Sequence, residues 1–167
     1  MSDQRLTVSN TGPLITLEKL SDGYSFIRKI YDRLLIPPTV LKELFQGQFV
    51  SAEAYLEHYG VTDLLEVVEI KPSVLPELKD LDQGEEEAIQ LALQRGLPLL
   101  IEEQAGRDVA CKLGVSISGI AGQVLRAFRD KILTAEETLN MLQELFTYRR
   151  INTRIYQGLV ETVRQEV

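Results

Sequence analysis

Histidine and cysteine are nearly absent: His58 and Cys111 stand alone in 167 residues, and there is no tryptophan. One of each excludes a Cys/His zinc cluster and an intrachain disulfide, and it leaves no partner set for a Ser-His-Asp or Cys-His nucleophile. His58 lies in a polar stretch before Gly60 and reads as a helix-end surface residue, while Cys111, between Val109-Ala110 and Leu113, reads as a small core residue. Glycine-rich phosphate loops are missing too. Neither G-x-G-x-x-G nor G-x-x-x-x-G-K-[ST] follows a strand, which argues against a dinucleotide or a P-loop nucleotide. No run approaches the roughly 20 apolar residues of a membrane span, and the polar start from Met1 to Arg5 lacks the apolar segment of a signal peptide. The expectation is a soluble, cytoplasmic protein with no membrane partner.

Positive charge is also scarce. The chain has 25 acids against 18 bases, a net charge of -7 and a pI near 4.8, so a polyanion must be met locally. The imbalance is uneven: residues 1–103 hold 18 acids and 9 bases, residues 104–167 hold 7 acids and 9 bases. Arg126, Arg129, Lys131, Arg149, Arg150 and Arg154 make up much of this later basic half, as contacts for backbone phosphates or as solvated helix faces.

At 44% hydrophobic, 167 residues suit a single domain, with a core over 5–131 and a C-terminal helical extension over 134–167. Residues 6–9 are β-branched and apolar and stop at Asn10-Thr11-Gly12-Pro13, which predicts a first strand. Helices follow from Pro13 and from Asp22. Further strands are expected at 34–36, 65–70, 97–101 and 115–117, and helices over 38–45, 51–58, 82–95, 104–113 and 120–131. Asp82 with Glu85 three residues on is a capping-box pattern, Thr134 caps one more helix, and the tail beyond Asn152 reads as helical. Apolar strands alternating with helices predict an α/β fold with a parallel sheet of about five strands covered on both faces. In such sheets the working site lies beyond the carboxyl ends of the strands, where strand order reverses.

That edge collects oxygen ligands: Asn10 after the first strand, Glu43 on the helix after the second, Glu85 at the start of the 82–95 helix, and Glu102-Glu103 after the fourth strand. Hard divalent cations, Mg²⁺ or Mn²⁺, prefer such ligands and need only two or three carboxylates. The same acids also suit the positive ends of their helices. Arg107, in the next helix, is placed to contact a phosphate or to pair with an acid.

Five segments, in order, carry a resemblance: residues 8–15 (VSNTGPLI), 36–44 (IPPTVLKEL), 81–92 (LDQGEEEAIQLA), 99–110 (LLIEEQAGRDVA), and Leu113-Gly114-Val115 leading to Gly119 and Gly122. Over residues 6 to about 160 the chain resembles the PIN-domain family, in its DUF3368 branch, and is similar to VapC-type toxins.

The resemblance implies a three-layer α/β/α fold, an acidic cluster binding Mg²⁺ or Mn²⁺, and metal-dependent ribonuclease activity on RNA. It also implies a small antitoxin as partner and a homodimer, for which Leu139, Leu142, Leu145 and Phe146 offer an apolar face if they do not close the monomer core. The family acids fall on Asn10, Glu43, Glu85 and Glu103, with Glu102 beside the last. Thr11 offers a hydroxyl to orient a metal-bound water or phosphate, or merely caps the helix at Gly12. The first position departs from the family: Asn10 is an amide and brings no charge, and the later aspartates are glutamates, one methylene longer. A catalytically silent module that binds RNA or a partner protein is the alternative that Asn10 favours.

Overall fold

Five short parallel strands organise the chain, and their order decides which side chains converge. The computed structural model describes residues 3–167. The strands are β1 (Leu6–Ser9), β2 (Arg33–Ile36), β3 (Leu65–Val67), β4 (Leu99–Leu100) and β5 (Ile117–Ser118), in the spatial order β3-β2-β1-β4-β5. The chain builds outward from β1 to β2 and β3, then returns to β1's other edge with β4 and β5. Strand order therefore reverses at β1, and a crevice opens beyond the carboxyl ends of β1 and β4.

Nine α-helices lie among the described residues: α1 (Thr11–Lys19), α2 (Gly23–Arg28), α3 (Pro38–Phe45), α4 (Ala52–Tyr59), α5 (Gln83–Arg95), α6 (Gln104–Lys112), α7 (Ile120–Arg129), α8 (Ala135–Thr147) and α9 (Thr153–Glu166). Alternation along the strands divides the apolar residues between two cores. Leu34, Ile36 and Leu100 face a core with α1 to α4, α7 and α8; Val8, Leu35, Leu99 and Ile101 face one with α5 and α6. Met141, Leu142, Leu145 and Val163 of α8 and α9 are buried in the first core. Leu139 packs partly against that core and Phe146 stacks on Tyr156, so these apolar positions are engaged within the monomer.

Three strands are shorter or later than expected. β3 ends at Val67 instead of residue 70, because β2 ends at Ile36 before Pro37-Pro38; the Val68 N–H takes the Ile36 carbonyl and no ladder continues. β4 covers two residues instead of 97–101, since Pro98 has no N–H and contributes only its carbonyl, to Val8. β5 starts at Ile117 because the Val115 N–H closes the turn after Gly114 onto Ala110. Cys111 is exposed, contrary to the core expectation: the buried stripe of α6 is Gly106 and Ala110, and the next residue points about 100° away. His58 is exposed in the last turn of α4, against Phe49 and Tyr59. No helix among the described residues is long and apolar enough to cross a membrane.

Candidate metal centre

Each acid reaches the crevice by a different local route. Pro37 and Pro38 fix the entry to α3, and Glu43 lies on its exposed side. There its Oε1 accepts the Thr11 hydroxyl at 3.2 Å. Thr11 is the first residue of α1, so its hydroxyl bridges β1's end to α3; it does not cap Gly12. Asn10 is buried, its N–H bonds the Leu100 carbonyl at 3.0 Å, and its side chain makes no capping bond to α1.

Only half of the expected capping box forms at α5. The Asp82 carboxylate accepts the Glu85 N–H at 2.8 Å, but Glu85 turns inward, 5% exposed, and its Oε2 has no hydrogen-bond partner. Glycine at 106 makes room for it, since a Cβ there would stand 2.6 Å from Glu85 Oε2 and from Ile101 Cδ1. Gly84 gives the same clearance to Glu43, whose Oε1 a Cβ would strike.

Asp82, Glu85 and Glu103 bring carboxylate oxygens within 4.8 Å of one another. Burial, then the carboxylates of Asp82 and Glu103, push the Glu85 carboxyl up to about 8. Glu43 is raised as well, by burial and by the charges of Asp82, Glu87 and Glu103, against the opposing pull of the Thr11 hydroxyl. Four carboxyls thus share one field, and a divalent cation fits them: it supplies the positive charge that this cluster lacks and a partner for the orphaned Glu85 oxygen.

Glu102 is bonded to other partners. Its Oε1 accepts the Thr16 hydroxyl at 2.7 Å and Arg150 Nη2 at 3.4 Å, and its Oε2 accepts the Ile120 N–H at 3.2 Å. It ties α1, α7 and the α8–α9 turn together, away from the Asp82, Glu85 and Glu103 group. Arg107 pairs with no acid among the described residues: its Nη1 donates to the Ile101 carbonyl at 2.8 Å and holds the strand end. Asp82 joins the cluster although nothing in the sequence singled it out, because the capping motif already accounted for it.

Among solved structures, a PilT N-terminus domain protein from the hyperthermophilic archaeon Sulfolobus solfataricus P2 is similar at 18% identity, over 69% of this chain and 87% of that one, with a TM-score of 0.42. No curated protein matches the sequence. The family DUF3368, described as a PIN domain, matches residues 6–165, which is nearly the whole chain. The parallel five-stranded α/β protein with this acidic crevice belongs to the PIN-domain family.

Proposed function

We propose that the chain is a divalent-metal-dependent endoribonuclease, with Glu43, Asp82, Glu85 and Glu103 as the acids that hold Mg²⁺ or Mn²⁺ and Asn10 as a neutral neighbour. The observation that carries this reading is the Asp82, Glu85 and Glu103 cluster, with one carboxylate oxygen buried and unpartnered. PIN domains are generally nucleases, which gives that cluster a chemistry. The bound ion would supply Lewis-acid polarisation of a phosphodiester and an activated water. The protein's own part is to orient and to trade a proton. The Thr11 hydroxyl fixes the Glu43 carboxylate, the cap fixes Asp82, and burial beside Asp82 and Glu103 raises the Glu85 carboxyl to about 8, so Glu85 would release a proton on taking up a cation.

Purified protein incubated with a mixed RNA set in Mn²⁺, with and without chelator, tests the reading. Chelator-sensitive cleavage that Glu85→Gln abolishes is expected; its absence over a broad RNA set overturns it. Asn10, a neutral residue at the first acid position, favours a second reading, a silent module binding RNA or a partner protein. Calorimetry showing no Mn²⁺ binding beside retained RNA binding would select it. A VapC-type role, with a small antitoxin as partner and a homodimer in the cytoplasm, is the finer form of the first proposal and rests on the family. A small open reading frame directly upstream whose product co-purifies with the chain would support that form, and a monomer mass by light scattering at micromolar concentration would end the dimer.

A further inference from the structure

Outside the crevice, one side of α5 is unusually rich in acceptors. Gln83, Glu86, Glu87 and Gln90 recur at i, i+3, i+4 and i+7, so they share a face of the helix, and the irregular segment after β3, residues 69–73, lies beside it. Two glutamines fasten that segment. Gln94 pairs completely: its Oε1 accepts the Lys71 N–H at 3.1 Å and its Nε2 donates to the Lys71 carbonyl at 2.7 Å. Gln90, one turn earlier, pairs by half. Its Nε2 donates to the Ser73 carbonyl at 3.2 Å and to Glu86 Oε1 at 3.4 Å, but its Oε1 has no donor, in a residue only 3% exposed. A buried amide oxygen left unpaired is costly, so this position favours a ligand that brings a donor.

Ser73 and Glu86, the two residues that hold the Gln90 amide, are both walls of a groove of about 600 Å³, so the amide head lies at its base. Glu69, Glu86 and Glu87 bring three carboxylates to the same groove, and none of them has a cation within salt-bridge distance among the described residues. The Thr39 hydroxyl and Gln83 Nε2 are already engaged on Glu87, at 2.8 Å each. What the groove offers a ligand is therefore mainly oxygen acceptors, beside an apolar wall of Pro38, Ile70 and Pro72. A single hard metal ion fits poorly, because among the described residues only Asp82, Glu85 and Glu103 converge within 4.8 Å. Gln90 lies two turns beyond Asp82, about 12 Å along the helix axis, so the groove is separate from that centre.

We propose that this groove binds a linear polyamine, with its ammonium groups on Glu69, Glu86 and Glu87 and its methylenes along Pro38, Ile70 and Pro72. Such a molecule carries donors and methylenes and no acceptors, which complements a lining of acceptors and apolar rings; its amines, like that of lysine, are protonated at neutral pH. A peptide would add carbonyl oxygens, for which the groove keeps few donors. Gln90 Oε1 is closed to water, so binding turns the amide and exchanges its long bond to Glu86 for one from an ammonium. In a chain of net charge -7 the ligand also compensates charge, and its binding does not depend on the nuclease reading.

The test is calorimetry of spermidine into the full, metal-free chain at low salt, about 50 mM, repeated at about 200 mM and with saturating Mn²⁺. One saturable site is expected, weaker at the higher salt and retained in Mn²⁺. Glu86→Gln should lower affinity about tenfold, and Gln90→Met, which keeps the length but removes the oxygen, should do the same. Gln90→Glu restores an acceptor with added charge and should bind at least as tightly as the native chain, whereas a residue that only braces the 69–73 segment would lose binding in both variants. If Gln90→Met does not melt cooperatively, Glu69→Gln on the exposed rim carries the test, with a loss of about threefold. No saturable site, or unchanged affinity in Glu86→Gln and in whichever of the other two is used, overturns the proposal. Displacement by Mn²⁺, or an equal loss in Glu103→Gln, overturns it by placing the cation among Asp82, Glu85 and Glu103. N-acetyl-triarginine amide, equal in charge to spermidine, binding as tightly would overturn the polyamine and make a basic peptide the occupant.

Discussion

Glu102 and Glu103 are adjacent, identical in type, and follow the same strand, yet the protein uses them in opposite ways. Around Glu102 every neighbour is a donor: a hydroxyl, a backbone N–H and a guanidinium. Around Glu103 the neighbours are Asp82 and Glu85, with Glu43 in the same field and no cation among them. Successive residues leaving a strand point to opposite sides, so one carboxylate is consumed in joining helices while the other remains available to a ligand. Charge satisfied within the fold contributes to stability, and charge left unsatisfied stays open to a ligand.

Glu85→Gln should break the acidic side most completely. It removes the buried carboxylate, and we expect roughly a hundredfold loss of Mn²⁺ affinity by calorimetry, about 2.7 kcal/mol. Metal-free Tm at pH 8 should rise in the same variant, because the unpartnered buried charge is gone.

Exchanging the two neighbours sharpens the contrast. Glu103→Gln should weaken Mn²⁺ about tenfold and leave metal-free Tm unchanged or higher. Glu102→Gln should leave Mn²⁺ affinity within about twofold and destabilise the fold by about 1 to 3 kcal/mol, since Arg150 loses its counter-charge. The reverse pattern, seen by paired calorimetry and thermal melts, would put Glu102 in the metal site.

Asn10→Asp adds charge to the acidic side. A carboxylate about 4 Å from a divalent ion gains roughly 8 kcal/mol of gross Coulomb energy at an effective dielectric near 20, and desolvation with repulsion offsets most of it. A net gain of about 1 to 2 kcal/mol, roughly ten- to thirtyfold in Mn²⁺ affinity, is expected. Unchanged affinity would show that Asn10 does not face the acids.

The acidic side also makes stability depend on pH. The Glu85 carboxyl titrates near 8 when folded, against an ordinary value of 4.5, so the folded protein holds a proton that the unfolded chain has released. The stability this contributes is full below about 4.5 and is lost as pH rises through 8. Metal-free protein should therefore melt lower at pH 8 than at pH 5, and Glu85→Gln should flatten the profile. A parallel profile in the variant would assign the dependence to other groups.

Much of this architecture was legible because local rules decide it. Pro38 and Phe45 bound α3 as the sequence indicates, and Gly96 ends α5 in the left-handed conformation expected there. The strand ends were not, since β3 stops where its partner β2 runs into Pro37, a pairing that local sequence does not reveal. Asp82 escaped notice for a related reason: a cap satisfied by Glu85 three residues away looks complete until Glu103 is brought beside it. Nor could two consecutive glutamates be told apart, because Thr16 and Arg150 come from distant segments.

The bond from Arg150 to the Gly12 carbonyl joins residues 138 apart. Together with the Arg150 bonds to Thr16 and Glu102, it pins the α8–α9 turn across α1 to the residues that leave β4, so a chain cut before Arg150 would leave Glu102 without its cationic partner.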